Sequence, residues 1–308
     1  MTAPARGGLA AAAVLLGLLL SACQTLPPPQ QAAIEPATEI QVPFVPQEAY
    51  QCGPAALAML LQWNHLPGDR DELVKEVWLP KRQGSLGIEL MAAGRARGLL
   101  AYPVETPQAL FAELQAGHPV LILQNLFLPQ WPVWHYAVVI GYREDGDELI
   151  LHSGTDRATT SHWNRFIRTW ARAHYWGFVL LPAGQLPASV EPEPLLQALA
   201  PMKKDALPHW RDAVKRFANN GRLRFGYANA LWDAGDRQAA LRNYESAARL
   251  TPDLAAVWNN LAYARQYNGD QHGAVSAVCR ARTLAPRDTN IADSVKQITG
   301  GAGCPTTP

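Results

Sequence analysis

An α+β domain followed by an all-α repeat domain is the architecture this sequence predicts, on three observations. A helix-forming run after Cys52-Gly53, PAALAMLLQW, is followed by strand-like runs at 117–124 (GHPVLILQ), 135–142 (HYAVVIGY) and 148–154 (ELILHSG). The second half of the chain repeats itself at a fixed period. Between the two, Leu181 to Met202 reads LPAGQLPASVEPEPLLQALAPM, a proline-rich stretch that marks a boundary.

With 308 residues, 48% of them hydrophobic and 17% charged, the chain has room for two folded units of ordinary size. Its formal net charge of +1, with no long run of one sign, gives no electrostatic reason to bind nucleic acid or an anionic membrane. Neutrality of this kind says nothing about the substrate.

Arg6 precedes an apolar stretch from Leu9 to Leu20. It is too short to cross a hydrocarbon layer of ~30 Å comfortably and reads as the core of a secretory signal. The residues that follow, Leu20 to Cys23 (LSAC), resemble the lipobox of bacterial lipoproteins. That resemblance implies a signal peptide at 1–22, acylation of Cys23 and, since Gln24 is not aspartate, an outer membrane as destination, with the protein facing the periplasm. Contact with the membrane is then through the lipid anchor alone. Residues 23–41 are rich in Pro, Gln and Ala and read as a tether, with folding expected to begin near Val42.

The stretch QEAYQCGPAA (47–56) carries the first chemical signal. Pro54 suits the first turn of a helix, so Cys52 falls at the helix N-terminus, where the backbone's partial positive charge favours a thiolate. A cysteine so placed is a small core residue or a nucleophile. Gln47, on the approach loop, is positioned to donate to an oxyanion together with the Cys52 N–H. His135 opens a strand-like run and is the candidate base.

The order PQEAYQCGPAALAML, a Gly-x-Pro-Val strand, then HYAVVIGY resembles the bacteriocin-processing cysteine peptidases. That papain-like family cuts leader peptides after double glycine, and phytochelatin-synthase-like peptidases share the same logic. The resemblance covers roughly residues 42 to 182. It implies an N-terminal helix packed on an antiparallel sheet, with Cys52 as nucleophile, His135 as general base and Gln47 in the oxyanion hole. Two departures stand out. Gln47 lies five residues before the cysteine, where the family usually has six. The aspartate that orients the family's histidine is also missing, and His152, Ser153 and Asp156 are the candidates for its place. No metal-ligand spacing links His65, His118, His162 and His174, so neither metal nor cofactor is expected. Trp131 and Trp134 border His135 on a proline-rich loop and are candidate walls of a substrate groove, whereas Trp163, Trp170 and Trp176 read as core.

After the expected linker at 183–202, which has room for a short helix, Ala228 matches Ala262, Gly235 matches Gly269, Asp236 matches Asp270, Ala247 matches Ala281 and Pro252 matches Pro286. Each pair is 34 apart, and this pattern resembles the tetratricopeptide repeat. It implies a helical-repeat domain at 203–300, with a degenerate helix within 205–220, a capping helix at 288–299 and a tail at 301–308. Tyr227, Asn229, Trp258, Asn259 and Tyr263 fall on the first helices, which commonly line the repeats' concave face. Export would place the cysteines in an oxidising compartment, where Cys279 and Cys304 are the candidate disulfide and Cys52 is left free.

The activity implied is hydrolysis of a peptide bond by a lipid-anchored cysteine peptidase, with the repeats recruiting substrate or a protein partner. The missing aspartate implies a weak base. The alternatives are a non-catalytic peptide-docking lipoprotein, or peptidyl or acyl transfer at the same site.

Overall fold

The computed structural model describes residues 38–143 and 146–305. The signal segment 1–22, Cys23 and most of the tether lie outside the described residues. The elements of the first half are β1 (Thr38–Glu39), α1 (Cys52–Trp63), α2 (Arg70–Val77), α3 (Gly87–Ala96), β2 (Leu100–Pro103) and α4 (Pro107–Gln115). They continue with β3 (Val120–Asn125), β4 (Trp134–Arg143), β5 (Glu148–Ser153), β6 (Asp156–His162), α5 (Trp163–Ala171) and β7 (Gly177–Leu181).

The strands form one antiparallel sheet in the order β2-β7-β3-β4-β5-β6, with β1 pairing to β4. Order begins earlier than Val42: Thr38 and Glu39 pair with Tyr142 and Gly141, and the Ile40 N–H donates to the Ile140 carbonyl at 2.7 Å. Past the end of β3, this short strand satisfies β4 backbone groups that would otherwise be unpaired.

Strand periodicity divides the core into two layers. Tyr136, Val138 and Ile140 of β4 pack with α1, α2 and α3 on one face. Ala137 and Val139 pack with α4 and α5 on the other. Helix α1 is buried along most of its length, from Gly53 to Leu61, as an apolar helix with no polar face must be.

The proline-rich stretch is not a free connector. It contains α6 (Pro192–Leu199), whose Leu195 and Leu199 enter the same core as the sheet. That core runs on through Trp210 and Ala213 of α7 (Leu207–Arg216) to Leu223 of α8 (Gly221–Asp233). A fully buried carboxylate pins the junction: Glu113 of α4 accepts from His118 Nδ1 at 2.6 Å, from Ser189 N at 2.8 Å, from Ser189 Oγ at 2.6 Å and from Ala188 N at 3.2 Å. Burial pushes the Glu113 carboxyl up, and these donors outweigh it, holding the group below its ordinary value of 4.5. A depressed carboxyl stabilises the fold above its ordinary pKa, and the contribution is lost as pH falls through the depressed one. Glu113→Gln should therefore cost about 2 kcal/mol near neutrality. In denaturant titrations the gap to wild type should close in acid.

The second half is all-α: α8 and α9 (Arg237–Leu250), then α10 (Ala255–Tyr267), α11 (Gln271–Leu284) and α12 (Thr289–Thr299). The starts of α8 and α10, and of α9 and α11, repeat the sequence period. Small residues at the crossings, Ala228, Ala262, Ala240, Ala274, Ala247 and Ala281, are fully buried. Asp236 and Asp270 each cap the following helix, accepting from Ala239 N and Gly273 N. Gly235 and Gly269 turn with φ of 88° and 84°, a conformation that favours glycine. Helix α7 holds Ala213 in the core, with Ala206 buried at its N-cap, and supplies the helix expected within 205–220. A disulfide joins Cys279 of α11 to Cys304 behind α12, with Cα atoms 5.5 Å apart, and Cys52 is free.

Candidate active site

Cys52 opens α1, and the helix enters the sheet layer immediately because Gly53 leaves no side chain there. A Cβ at residue 53 would meet the Ser85 Cβ at 2.7 Å and the Tyr136 ring at 3.4 Å. The backbone N–H groups of Tyr136, Gly53 and Cys52 itself face the Cys52 sulfur and favour its thiolate form. Burial still wins: the thiol is pushed above its ordinary value of 9.0 despite those donors. The helix N-terminus alone had pointed the other way, and the reason is that its partial charge acts on a sulfur largely removed from water. Alkylation of Cys52 by iodoacetamide should accordingly keep accelerating as pH rises past 9.0. A rate that levels off near neutrality would contradict this.

Tyr136, whose N–H faces the sulfur, directly follows His135. The imidazole is rooted on the sheet face of Ala137 and Val139, while α1 packs on the other face, so the residues that serve the sulfur and the base, Tyr136 and His135, are neighbours at the start of β4. His135 Nε2 is 2.9 Å from Ser153 Oγ on β5, leaving Nδ1 for a second partner. Burial lowers the His135 pKa, so at neutral pH both thiol and imidazole rest uncharged.

Of the three candidates for the orienting position, Ser153 is the one held against His135. His152 is buried with both nitrogens committed elsewhere: Nε2 donates to the Val42 carbonyl at 3.0 Å and Nδ1 accepts from Ala158 N at 3.1 Å. Its ring also packs edge-on against Phe44, with centroids 5.2 Å apart. One residue along a strand reverses the face, which puts His152 beside Val138 and Ser153 on the side of His135. Asp156 pairs with Ser153 across the β5–β6 turn and is exposed.

Gln47 reaches the same end of the sheet. Its N–H donates to the Gly154 carbonyl at 3.2 Å, and its side-chain Nε2 would lie 3.8 Å from a Cβ at Gly154. Gln47 thus sits against the turn that carries Ser153. Gln51, which sequence reasoning passed over, has a buried Oε1 with no hydrogen-bond partner among the described residues, immediately before Cys52.

A groove of ≈ 590 Å³ opens beside Cys52, between the segment 82–87 and the 126–134 loop. Trp134 lines it, whereas Trp131 is 68% exposed on the rim. On the repeat domain, a second groove of ≈ 670 Å³ runs between α6, α7 and the first repeat, and a third of ≈ 470 Å³ adjoins it. Asn229 lines both, its Oδ1 accepting from Tyr244 Oη at 2.8 Å and from Asn260 Nδ2 at 3.0 Å. Tyr263 lines the third groove. Tyr227 is packed against the core, and Trp258 Nε1 donates to the Pro252 carbonyl.

A half-buried cysteine at a helix mouth, a histidine heading a strand and an antiparallel sheet between helical layers fit a cysteine peptidase domain. More narrowly, residues 39–177 match the Peptidase_C39 like family, and the chain carries a Peptidase_C39-like domain over that range. Solved structures similar to this one include a putative C39-like peptidase from Bacillus anthracis, at 16% identity, a TM-score of 0.41 and coverage of 48% of this chain and 99% of that one. A double glycine motif protease from an AMS/PCAT transporter, in complex with its leader peptide, aligns at 20% identity and a TM-score of 0.37 over 47% of this chain and 94% of that one. The tetratricopeptide-repeat protein YrrB, with an unusual peptide-binding site, aligns at 20% identity and a TM-score of 0.32 over 35% of this chain and 59% of that one. No curated protein matches the chain.

Proposed function

We propose that this protein hydrolyses peptide bonds through Cys52 and His135. What supports the reading is that adjacent residues at the start of β4 serve the two groups: the Tyr136 N–H faces the Cys52 sulfur, and Ser153 is held against His135. In the tautomer this chemistry needs, Nε2–H donates to Ser153 Oγ and Nδ1 carries the lone pair. Nδ1 takes the thiol proton as sulfur attacks the substrate carbonyl, and the new S–C bond leaves an oxyanion facing the Cys52 N–H and the Gln47 amide. Collapse breaks the C–N bond, and His135 returns the proton to the departing amine. Water then adds to the thioester, giving its proton to His135, and C–S cleavage restores the thiol. Transfer to an amine in place of water would use the same groups.

Acylation of Cys23 would hold the enzyme at the cell envelope, facing the periplasm from the outer membrane, with the repeat grooves recruiting substrate or a partner protein. Cleavage after double glycine, the habit of the resembled family, is one substrate this site is to be tried on. A second reading, a non-catalytic module that only docks a peptide, draws on the raised thiol pKa and the serine standing where a carboxylate is expected. The test is covalent labelling of the purified protein by peptidyl acyloxymethyl ketones, located by peptide mapping. Labelling at Cys52 that outpaces iodoacetamide and disappears in His135→Ala supports catalysis. Equal labelling of wild type and His135→Ala leaves the docking reading.

A further inference from the structure

Among the described residues, exposed large apolar side chains are concentrated on the segment 126–134, whose Val133 and Trp134 line the Cys52 groove. Leu126, Phe127, Leu128, Trp131, Val133 and Trp134, all on one loop, are each 45% exposed or more. Such residues on a mobile loop would say little, but this loop is tied down. Asn125, itself buried, accepts from Phe127 N at 3.1 Å and from Val133 N at 3.0 Å through Oδ1. Its own carbonyl accepts from Arg172 Nε at 3.1 Å and from a second Arg172 nitrogen at 2.8 Å. The rim is thus an apolar contact surface held in place before anything binds, which lowers the entropic cost of binding.

Inside the groove the walls are Leu86, Leu123, Pro132, Val133 and Tyr136, and one charged residue, Arg82, lines it. The Arg82 guanidinium makes no ion pair or hydrogen bond among the described residues. The 3₁₀ turn Pro80–Arg82 that carries it is closed by the Leu79–Gly84 bridge, so its backbone is fixed. A pair of glycines would leave these walls uncovered and the cation unmatched.

We infer that the groove selects polypeptide substrates that present a bulky apolar side chain next to the scissile bond and, nearby, an acidic side chain that pairs with Arg82. This rests on the peptidase reading above and names its substrate class. Burial of a large apolar side chain against such walls favours it over glycine by about tenfold or more, and a charge-assisted contact at a partly exposed arginine adds a few-fold.

The experiment compares second-order labelling rates of Cys52 by three acyloxymethyl ketone probes, built on Gly-Gly, on a peptide containing Phe, and on the same peptide with an added Glu. Wild type should react about tenfold or more faster with the Phe probe than with Gly-Gly, and a few-fold faster again with Glu. Arg82→Gln should lose only the Glu gain, and Val133→Ala should reduce the Phe preference. Gly-Gly labelling as fast as the Phe probe overturns the inference, as does a Glu gain that survives Arg82→Gln; either outcome leaves the peptidase reading standing. If no probe labels Cys52 although iodoacetamide does, the peptidase reading itself falls and the substrate class with it.

Discussion

Ser153→Asp is expected to speed attack of Cys52 on a peptide substrate or probe, by about tenfold to a hundredfold. The serine accepts from, or donates to, His135 Nε2 at 2.9 Å, so the position is already within reach of the ring. What it lacks is charge. A carboxylate there fixes the tautomer with the lone pair on Nδ1 and stabilises the imidazolium that forms as the thiol loses its proton. In the serine peptidase triad, losing that carboxylate costs ~10⁴ in turnover. Here burial lowers the His135 pKa with nothing opposing it, so an introduced aspartate would raise it. The pH–rate profile should therefore shift together with the rate. A faster rate with an unmoved profile would mean that the substitution acted on packing, and a slower rate would mean that the desolvated carboxylate could not be accommodated beside Gly154.

His135→Ala is expected to slow acylation by about 10²–10⁴, the usual worth of a positioned general base. The effect should be larger on cleavage of a peptide bond than on alkylation by iodoacetamide, because only the former needs a proton returned to a leaving group. It should also shrink at high pH, where the thiol ionises unaided. Fold integrity is checked by the thermal transition: the ring lies at the end of β4, so its loss leaves the Ala137 and Val139 layer intact. A His135→Ala protein that labels like wild type at every pH removes the histidine from the chemistry.

Much of this site was legible in the sequence because it depends on local grammar. Proline in a first turn places Cys52 at a helix start, and β-branched alternation after His135 makes a strand. The 34-residue period fixes two helical hairpins together with their Asp caps and glycine turns. Three features needed the third dimension. The choice between His152 and Ser153 turns on the parity of one strand position and on irregular pairing between β4, β5 and β6, which no spacing rule supplies. The thiol pKa turns on how deeply α1 is buried, which overrides the helix dipole. The proline-rich 183–202 stretch looks like a spacer because the residue that anchors it, Glu113, reads in sequence as one more surface charge on an amphipathic helix.

Because the hydrophobic interior of the sheet-containing half continues without a seam into the first helices of the repeats, the two halves are not free to swing. The span from the superhelix's inner surface to the thiol is then a constant of the molecule, as on a pair of calipers. Any polypeptide gripped at one end and cut at the other must bridge that constant separation, so its cleavage rate should peak at a particular spacer length and fall on either side of it.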